Sequence, residues 1–423
     1  MRFPILALAL GLVVTAPYVR AQNATVPGPL TLAEAQRLAE TANTGVRTRE
    51  AQLAAAEGMR REAASPFFNN PELSVERTRR RALDERANEW SVGIAQPFEI
   101  AGQQGRRRDA AAASLDALRA EIEDARRQAR SDAASRFNAV LAAQRRLQVE
   151  QRSVELFDRT SQAVAKRRTA GEDTRLDANV ALIEAERARN ALARAGEQLL
   201  DARGELATVL QLPMAAMPEV AGNMGMPSGD ALPYRLDQLL AATQMLPRQR
   251  ALVARLEAAR ARVGLAEAGR FPDIKVGLNA GREGPDIARE RLTTLSLSVP
   301  LPIFTRNNAA IGEALTVATQ AGIDQTSSVR NVQAKVQQLW SRLDSQRARL
   351  QRLQATLLPA SADNQQLATQ SRQAGQIGLL EQLIVNRQAL DAERDLIDAL
   401  ADFHTTRIEL ENAAGWSQEG LTR

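Results

Sequence analysis

The side chains capable of chemistry are few, and they do not converge. The chain has one histidine, His404, and no cysteine. Four methionines, Met214, Met217, Met224 and Met226, crowd a stretch rich in Pro and Gly. Thioethers bind soft Cu(I) or Ag(I), but no thiolate or imidazole stands beside these four, and the stretch reads as a linker. His404 continues the helical stripe Leu383, Leu390, Ile397, so it reads as packing. A lone His without carboxylate or Cys company is a poor ligand set. No nucleophile elbow, phosphate-binding glycine loop or His–carboxylate cluster occurs. An enzyme reading has nothing to rest on, and neither a cofactor nor a resident metal is expected.

The frame that would position any functional residue is duplicated. Pro71 matches Pro272, Pro97 matches Pro300, Gly171 matches Gly375, and Glu205-Leu206 matches Glu409-Leu410, with an offset that drifts only from 201 to 204 residues. Such a repeat decides a fold before a single motif does. Each unit reads helix, strand, strand, helix. The predicted boundaries are a first repeat over 22–213, a linker over 214–232, a second repeat over 233–415 and a tail over 416–423. Aromatics make up 3% and charged residues 25% of the 423 residues, and the abundance of Ala and Arg fits long helices better than thick cores.

No Pro or Gly interrupts 106–170, where Leu115, Leu118, Ile122, Ala125 and Ala129 step by three and four, the seam of a coiled coil. At 1.5 Å per residue such a helix is about 100 Å long. Its counterpart runs over 308–372, with a kink predicted at Pro359. Thr31 and Glu34 form a capping box that opens a helical block over 31–65, broken near Asn43. Another block covers 174–210. Two shorter blocks placed end to end match one long helix, so continuous helices are expected to alternate with stacked half-length ones. Gly171 and Gly375 end the long helices and mark the far tips of two helical hairpins.

Two pairs of short segments lie between the helices, about 72–82 with 88–98 and 273–283 with 292–303. Ile274, Val276, Leu278 and Ala280 alternate with Lys275, Gly277 and Asn279; Leu295, Leu297 and Val299 alternate with Thr294, Ser296 and Ser298; Trp90, Val92 and Ile94 alternate with Ser91, Gly93 and Ala95. About ten residues is what a tilted membrane-crossing strand needs. Phe67, Phe68, Phe98, Phe271 and Phe304 cluster at the helix–strand junctions. With Trp90 they read as membrane-interface aromatics. Four strands cannot close a barrel, and an open edge in lipid leaves backbone groups unpaired at several kcal/mol each. Eight strands from a dimer leave little lumen, whereas twelve from a trimer leave a pore. At the N-terminus, Arg2 and the apolar run over 5–14 read as a secretory signal over 1–21. Its removal takes two positive charges from a formal net charge of +5, and with no Cys no lipid-anchored Cys is expected.

The opening Leu30-Thr31-Leu32-Ala33-Glu34-Ala35, the junction running from Phe68 through Pro71 to Ser74, and the tips Arg168–Gly171 and Arg372–Gly375 occur in order. With their duplication they resemble the outer-membrane efflux proteins of the TolC family, nearest its CzcC-like branch. The likeness covers about Leu30 to Gly415. It implies a fold that is mainly α with a small β part: a homotrimer whose twelve-stranded β-barrel meets outer-membrane lipid and continues into a periplasmic α-barrel of twelve helices. It implies an outer-membrane location, a large periplasmic portion, and a passive exit duct fed by an inner-membrane RND-type pump through a periplasmic adaptor (membrane fusion protein). Heavy-metal cations are the expected cargo; multidrug efflux and type I protein secretion are alternatives on the same fold. An adaptor protein is a further alternative, but it would show one hairpin flanked by small β-domains.

Residue by residue, the resemblance places an acidic pore constriction at Glu381, with Asp177 at the corresponding place of the first repeat and Ile384 where a second acid would stand. It places adaptor docking at the tips, on Gly171, Gly375, Ile377, Gly378 and Leu379. The basic run Arg77, Arg79, Arg80, Arg81 reads as a strand end facing lipopolysaccharide or water. Elsewhere Arg and acids interleave, as in Glu184, Glu186, Arg187 and Arg189, the mark of a solvated helix face and not of a nucleic-acid site.

Overall fold

The computed structural model describes residues 28–81, 86–213, 217–225, 232–284 and 288–416. The expected signal segment lies outside the described residues. The first repeat comprises α1 (Leu32–Ala42), α2 (Thr44–Ala63), β1 (Glu72–Arg81), β2 (Arg86–Phe98), α3 (Gln103–Thr169) and α4 (Arg175–Val209). The second comprises α5 (Leu236–Ala242), a 3₁₀ turn (Thr243–Met245), α6 (Pro247–Ala268), β3 (Ile274–Glu283), β4 (Glu290–Ser298), α7 (Asn308–Arg352), α8 (Leu358–Gln373) and α9 (Leu379–Ala414). Among the described residues no helix is long and apolar enough to cross a membrane.

α3 is the spine. Its first half runs beside α2 and α6, tied by Arg126–Glu50, Arg250–Glu123 and Arg255–Glu121. Its second half runs beside α4 and α9, tied by Arg189–Asp158 and Arg152–Glu393. α1 (11 residues), α2 (20) and α4 (35) together match the 67 residues of α3, the end-to-end arrangement expected from the block lengths. The stack meets where Leu30 pairs with Val220 of the inter-repeat linker. In the second repeat, α9 ends at Gly415 against Leu246, where α6 begins.

The core is thin. Leu115, Leu118, Ile122 and Ala129 are buried along the predicted seam. One cluster at mid-length gathers Phe137, Leu206, Leu343, Leu400, Phe403 and Leu410; a second, nearer the tips, sets Val149, Phe157 and Val164 against Ala181, Ala185 and Leu383. Alanines allow close helix approach but bury little area each.

The counterpart of α3 is helical throughout 308–373 but is not α along its whole length. Between α7 and α8 the helix widens to a π turn over Leu353–Leu357, immediately before Pro359. Proline has no N–H to donate, and its ring crowds the carbonyl four residues back, that of Ala355, so the local ladder opens instead of closing as α. A π turn thus stands beside the proline where a kink was predicted. The predicted end of β4 near 303 is also corrected. β4 stops at Ser298, because Pro300 and Pro302 withhold ladder donors and keep the segment out of the sheet.

The four strands form one antiparallel sheet in the order β1-β2-β3-β4. The β2–β3 pairing joins the repeats. Its register sets Ile94 opposite Leu278 and Phe98 opposite Ile274. Leu73, Ile94, Leu278 and Leu295 lie in one row across the sheet, and Ser74, Gly93, Asn279 and Thr294 in the next row on the opposite face. Polar side chains fasten the sheet to the helices: Gln96 Nε2 donates to the Asn69 carbonyl at 2.8 Å, Asn69 Nδ2 to Asp273 at 2.8 Å and Gln103 Nε2 to the Phe271 carbonyl at 3.1 Å.

α4 and α9 end in equivalent places on a left-handed residue, Gln211 (φ 53°) and Gly415 (φ 72°). Left-handed backbone costs a non-glycine residue about 1–2 kcal/mol. Gln211→Gly is expected to raise the unfolding free energy by about 1 kcal/mol after the entropy cost of glycine. Gly415→Ala is expected to lower it, since a Cβ there would lie 2.6 Å from Leu246 Cδ2. Urea melts followed by far-ultraviolet circular dichroism would check both signs.

Candidate functional site

The hairpin tips repeat one turn. After α3, the Gly171 N–H donates to the Arg168 carbonyl (3.0 Å) and the Glu172 N–H to the Arg167 carbonyl (2.9 Å); after α8, Gly375 donates to Arg372 (3.1 Å) and Gln376 to Ser371 (2.8 Å). Both glycines sit at positive φ, 80° and 72°, and a Cβ on either would meet nothing within 4 Å. Backbone conformation alone, not crowding, calls for glycine here.

Asp177 and Glu381 occupy matching positions just past these turns, at the third residue of α4 and α9. Asp177 accepts from the Thr174 N–H (2.9 Å) and hydroxyl (2.6 Å), and its N–H donates to the Thr174 hydroxyl at 3.1 Å. The hydroxyl, then the N–H, hold its carboxyl below the usual carboxylate range. Glu381 accepts from the Gly378 N–H at 2.9 Å. Each acid thus satisfies its own helix start with one oxygen and keeps the other free. Ile384 is 46% exposed on the same helix.

Of the five tip residues expected to dock a partner, Gly171, Gly375 and Gly378 are exposed and Ile377 is half-buried. Leu379 turns inward, 4% exposed, among Phe157, Val164 and Leu383, because it opens the helix on its core-facing stripe. Sequence reasoning missed Leu176 and Leu380, which are 72% and 66% exposed. They sit at the second position of α4 and α9, and the duplication itself was the signal that could have found them.

The two hairpins are held side by side by buried carboxylates that sequence reasoning also missed. At the tips, Asp173 receives Arg372 Nη2 at 2.7 Å, and Arg167 Nε faces its other oxygen at 3.3 Å. Higher up, Glu184 meets Arg387 Nε at 2.9 Å and Arg187 at 2.9 Å. Glu150, whose side chain is 3% exposed, takes Arg394 Nε at 2.9 Å and Nη2 at 2.6 Å, with Arg146 Nε at 3.1 Å. All three acids belong to the first repeat. The guanidiniums that cross to them, Arg372, Arg387 and Arg394, belong to the second.

The remaining candidates hold structure together. Met224 is fully buried beside Phe137 and Leu141; Met217 is half-buried, and Met214 and Met226 lie outside the described residues. Among the described residues no cluster of His, Asp or Glu could hold a metal ion. Burial pushes the pKa of His404 down, and the ring bonds the Gly225 carbonyl through Nε2 at 3.0 Å, pinning the linker to α9. Phe67, Phe68, Phe98, Phe271 and Phe304 ring the foot of the sheet, all exposed. Phe67 meets Phe98 edge-on at 5.6 Å, and the Arg107 guanidinium lies 3.6 Å above Phe68. Trp90 is not with them. Eight residues along β2 from Phe98, it sits near the other end of the sheet.

The model of the family described as "Outer membrane efflux protein" matches residues 30–210 and 241–416, one block per repeat. The chain belongs to this family. A relative, the cobalt-zinc-cadmium resistance protein CzcC of Cupriavidus metallidurans, is 29% identical over 376 residues, 88% of this chain and 85% of that one. Among solved structures, a membrane protein from Pseudomonas aeruginosa superposes with a TM-score of 0.77 at 22% identity, covering 91% of this chain and 93% of that one. The CusC channel superposes with a TM-score of 0.75 at 17% identity, covering 91% and 92%. The fold is therefore that of the TolC-like channels, with its helical barrel and β-barrel parts, and the chain is an outer-membrane efflux protein.

Arg394→Ala leaves Glu150 buried with Arg146 alone and is expected to cost about 3 kcal/mol. Replacing Glu150 and Arg394 together by leucine and methionine should recover most of that in chemical denaturation. Arg372→Ala is expected to free one tip from the other. Because the chain has no Cys, spin labels on cysteines introduced at Glu172 and Gln376 would report it as a broadened distance distribution; an unchanged distribution would refute the clamp.

Proposed function

We propose that three copies of this chain form the outer-membrane exit duct of a tripartite efflux assembly and that its cargo is divalent heavy-metal cations. The observation that carries the reading is the near full-length similarity to a cobalt-zinc-cadmium resistance protein, joined to a sheet that is open on both sides. β1 and β4 are exposed along their whole length. In lipid, each unpaired backbone group costs several kcal/mol, and β1 of one copy against β4 of the next removes both edges at once. Twelve strands then enclose a lumen. The face opposite the apolar rows suits a water path, since it carries Glu72, Lys275, Ser74, Gly93, Asn279 and Ser296.

The helices hang below as a conduit about 100 Å long. At its closed end, three copies of Glu381 form an anionic ring, with Asp177 on the neighbouring hairpin and Ile384 as an apolar step. Such a ring selects and slows cations. The adaptor of an RND-type inner-membrane pump docks on the tips at Gly171, Gly375, Ile377 and Gly378, with Leu176 and Leu380 as the apolar contacts, while Leu379 supports that surface from inside. The channel does no chemistry; the pump supplies the energy.

Deleting the gene is expected to sensitise the host to zinc, cobalt and cadmium and to leave antibiotic susceptibility unchanged; the opposite pattern would overturn the metal assignment. In planar bilayers, Glu381→Ala is expected to raise cation conductance or weaken block by multivalent cations. Leu176→Asp with Leu380→Asp should abolish photo-crosslinking to the adaptor while leaving channel conductance intact.

A further inference from the structure

The two faces of the sheet differ in charge as sharply as they differ in hydropathy. Register puts Leu73, Val75, Val92, Ile94, Val276, Leu278, Leu295 and Leu297 on one face. The charged residues that share that face and whose side chains are described are all arginines: Arg77, Arg79, Arg81, Arg282 and Arg291. The strand acids Glu72, Glu76, Glu89, Glu283 and Glu290 fall on the other face. Arg80, also on that other face, pairs with Glu89 at 3.3 Å.

The arginines are also ordered along the strands. Arg77 stands opposite Trp90, Trp90 opposite Arg282, and Arg282 opposite Arg291, one transverse row spanning all four strands. The row lies eight residues from the Phe98–Ile274 pair along β2 and β3. At about 3.3 Å per residue that is about 26 Å, and a tilt near 40° reduces it to roughly 20 Å, close to the apolar band of a membrane barrel. Phenylalanines therefore mark one interface, and the Trp90–arginine row marks the interface farther from the helices.

Like charges directly opposite one another in a sheet repel. Arg282 and Arg291 are such a pair, and neither they nor Arg77 has a carboxylate partner among the described residues. An outward row of one sign at an interface needs anions from outside the protein. Guanidinium binds phosphate through paired, charge-assisted hydrogen bonds, and its aliphatic stem can lie along the apolar band while the head reaches the interface.

We propose that Arg77, Arg282 and Arg291 form a binding row for the phosphates of the glycolipid in the outer leaflet, with Trp90 setting its depth. The inference rests on the sheet being the membrane-embedded part of the channel. Three copies would carry the row around the whole barrel and fix its height in the membrane.

The test uses the full-length protein in phosphatidylcholine vesicles, alone or doped with bisphosphorylated lipid A or with chemically dephosphorylated lipid A, and in detergent with inorganic phosphate. The readouts are flotation with the vesicles and the temperature at which the oligomer dissociates. Bisphosphorylated lipid A is expected to raise that temperature, and neither dephosphorylated lipid A nor inorganic phosphate should do so. The variant Arg77→Gln/Arg282→Gln/Arg291→Gln should float normally, lose the rise, and retain at least about tenfold less lipid A through purification. Arg80→Gln, on the opposite face, should behave as wild type. An equal rise in the triple variant, or a rise with inorganic phosphate alone, overturns the arginine row and leaves the membrane reading standing. Failure of the wild type to float overturns both.

Discussion

Backbone hydrogen bonding at the two edges of the sheet is the constraint on which the rest of this structure depends. A strand in water can leave its outward N–H and C=O groups to the solvent; a strand in lipid cannot. With four strands in one open sheet, the chain solves half of that problem internally, through the β2–β3 pairing that joins its repeats. In the proposed assembly, further copies supply the remaining half. The long helices present a parallel case. Their cores are narrow and alanine-rich, so a single chain leaves apolar side chains such as Ile323, Leu182 and Leu200 exposed, and association can bury them.

Much of this was legible in the sequence because it obeys local rules. Period-two alternation placed the strands, the three-and-four spacing placed the seam of α3, and Thr31 with Glu34 formed the capping box that the residue types announced. Duplication did the most, since each weak signal in one half found its echo in the other. The boundaries that moved did so for local reasons too. Paired prolines shortened β4, and Pro359 acted through its missing N–H by widening a turn ahead of it.

What the sequence concealed was mostly long-range. Glu150 and Arg394, or Asp173 and Arg372, are about two hundred residues apart or more, and nothing in a run of interleaved Arg and Glu distinguishes the buried pair from its solvated neighbours. The tip residues were only half legible. The glycines stood out as turn formers, but the inward direction of Leu379 and the outward direction of Leu176 and Leu380 depend on how the capped first turn of each helix meets the adjoining hairpin. Trp90 was grouped with the phenylalanines by chemistry, and only strand register separates them.

The buried carboxylates that bind the hairpins together, Glu150, Asp173 and Glu184, all come from one repeat, and the guanidiniums that cross to them from the other. If the second half were exchanged for another copy of the first, Asn190 and Ile183 would stand where Arg394 and Arg387 now reach Glu150 and Glu184, leaving those buried acids to Arg146 and Arg187 alone. The descendants of one ancestral unit have thus become complementary parts. Shape still records the repeat, but buried charge now tells its two halves apart.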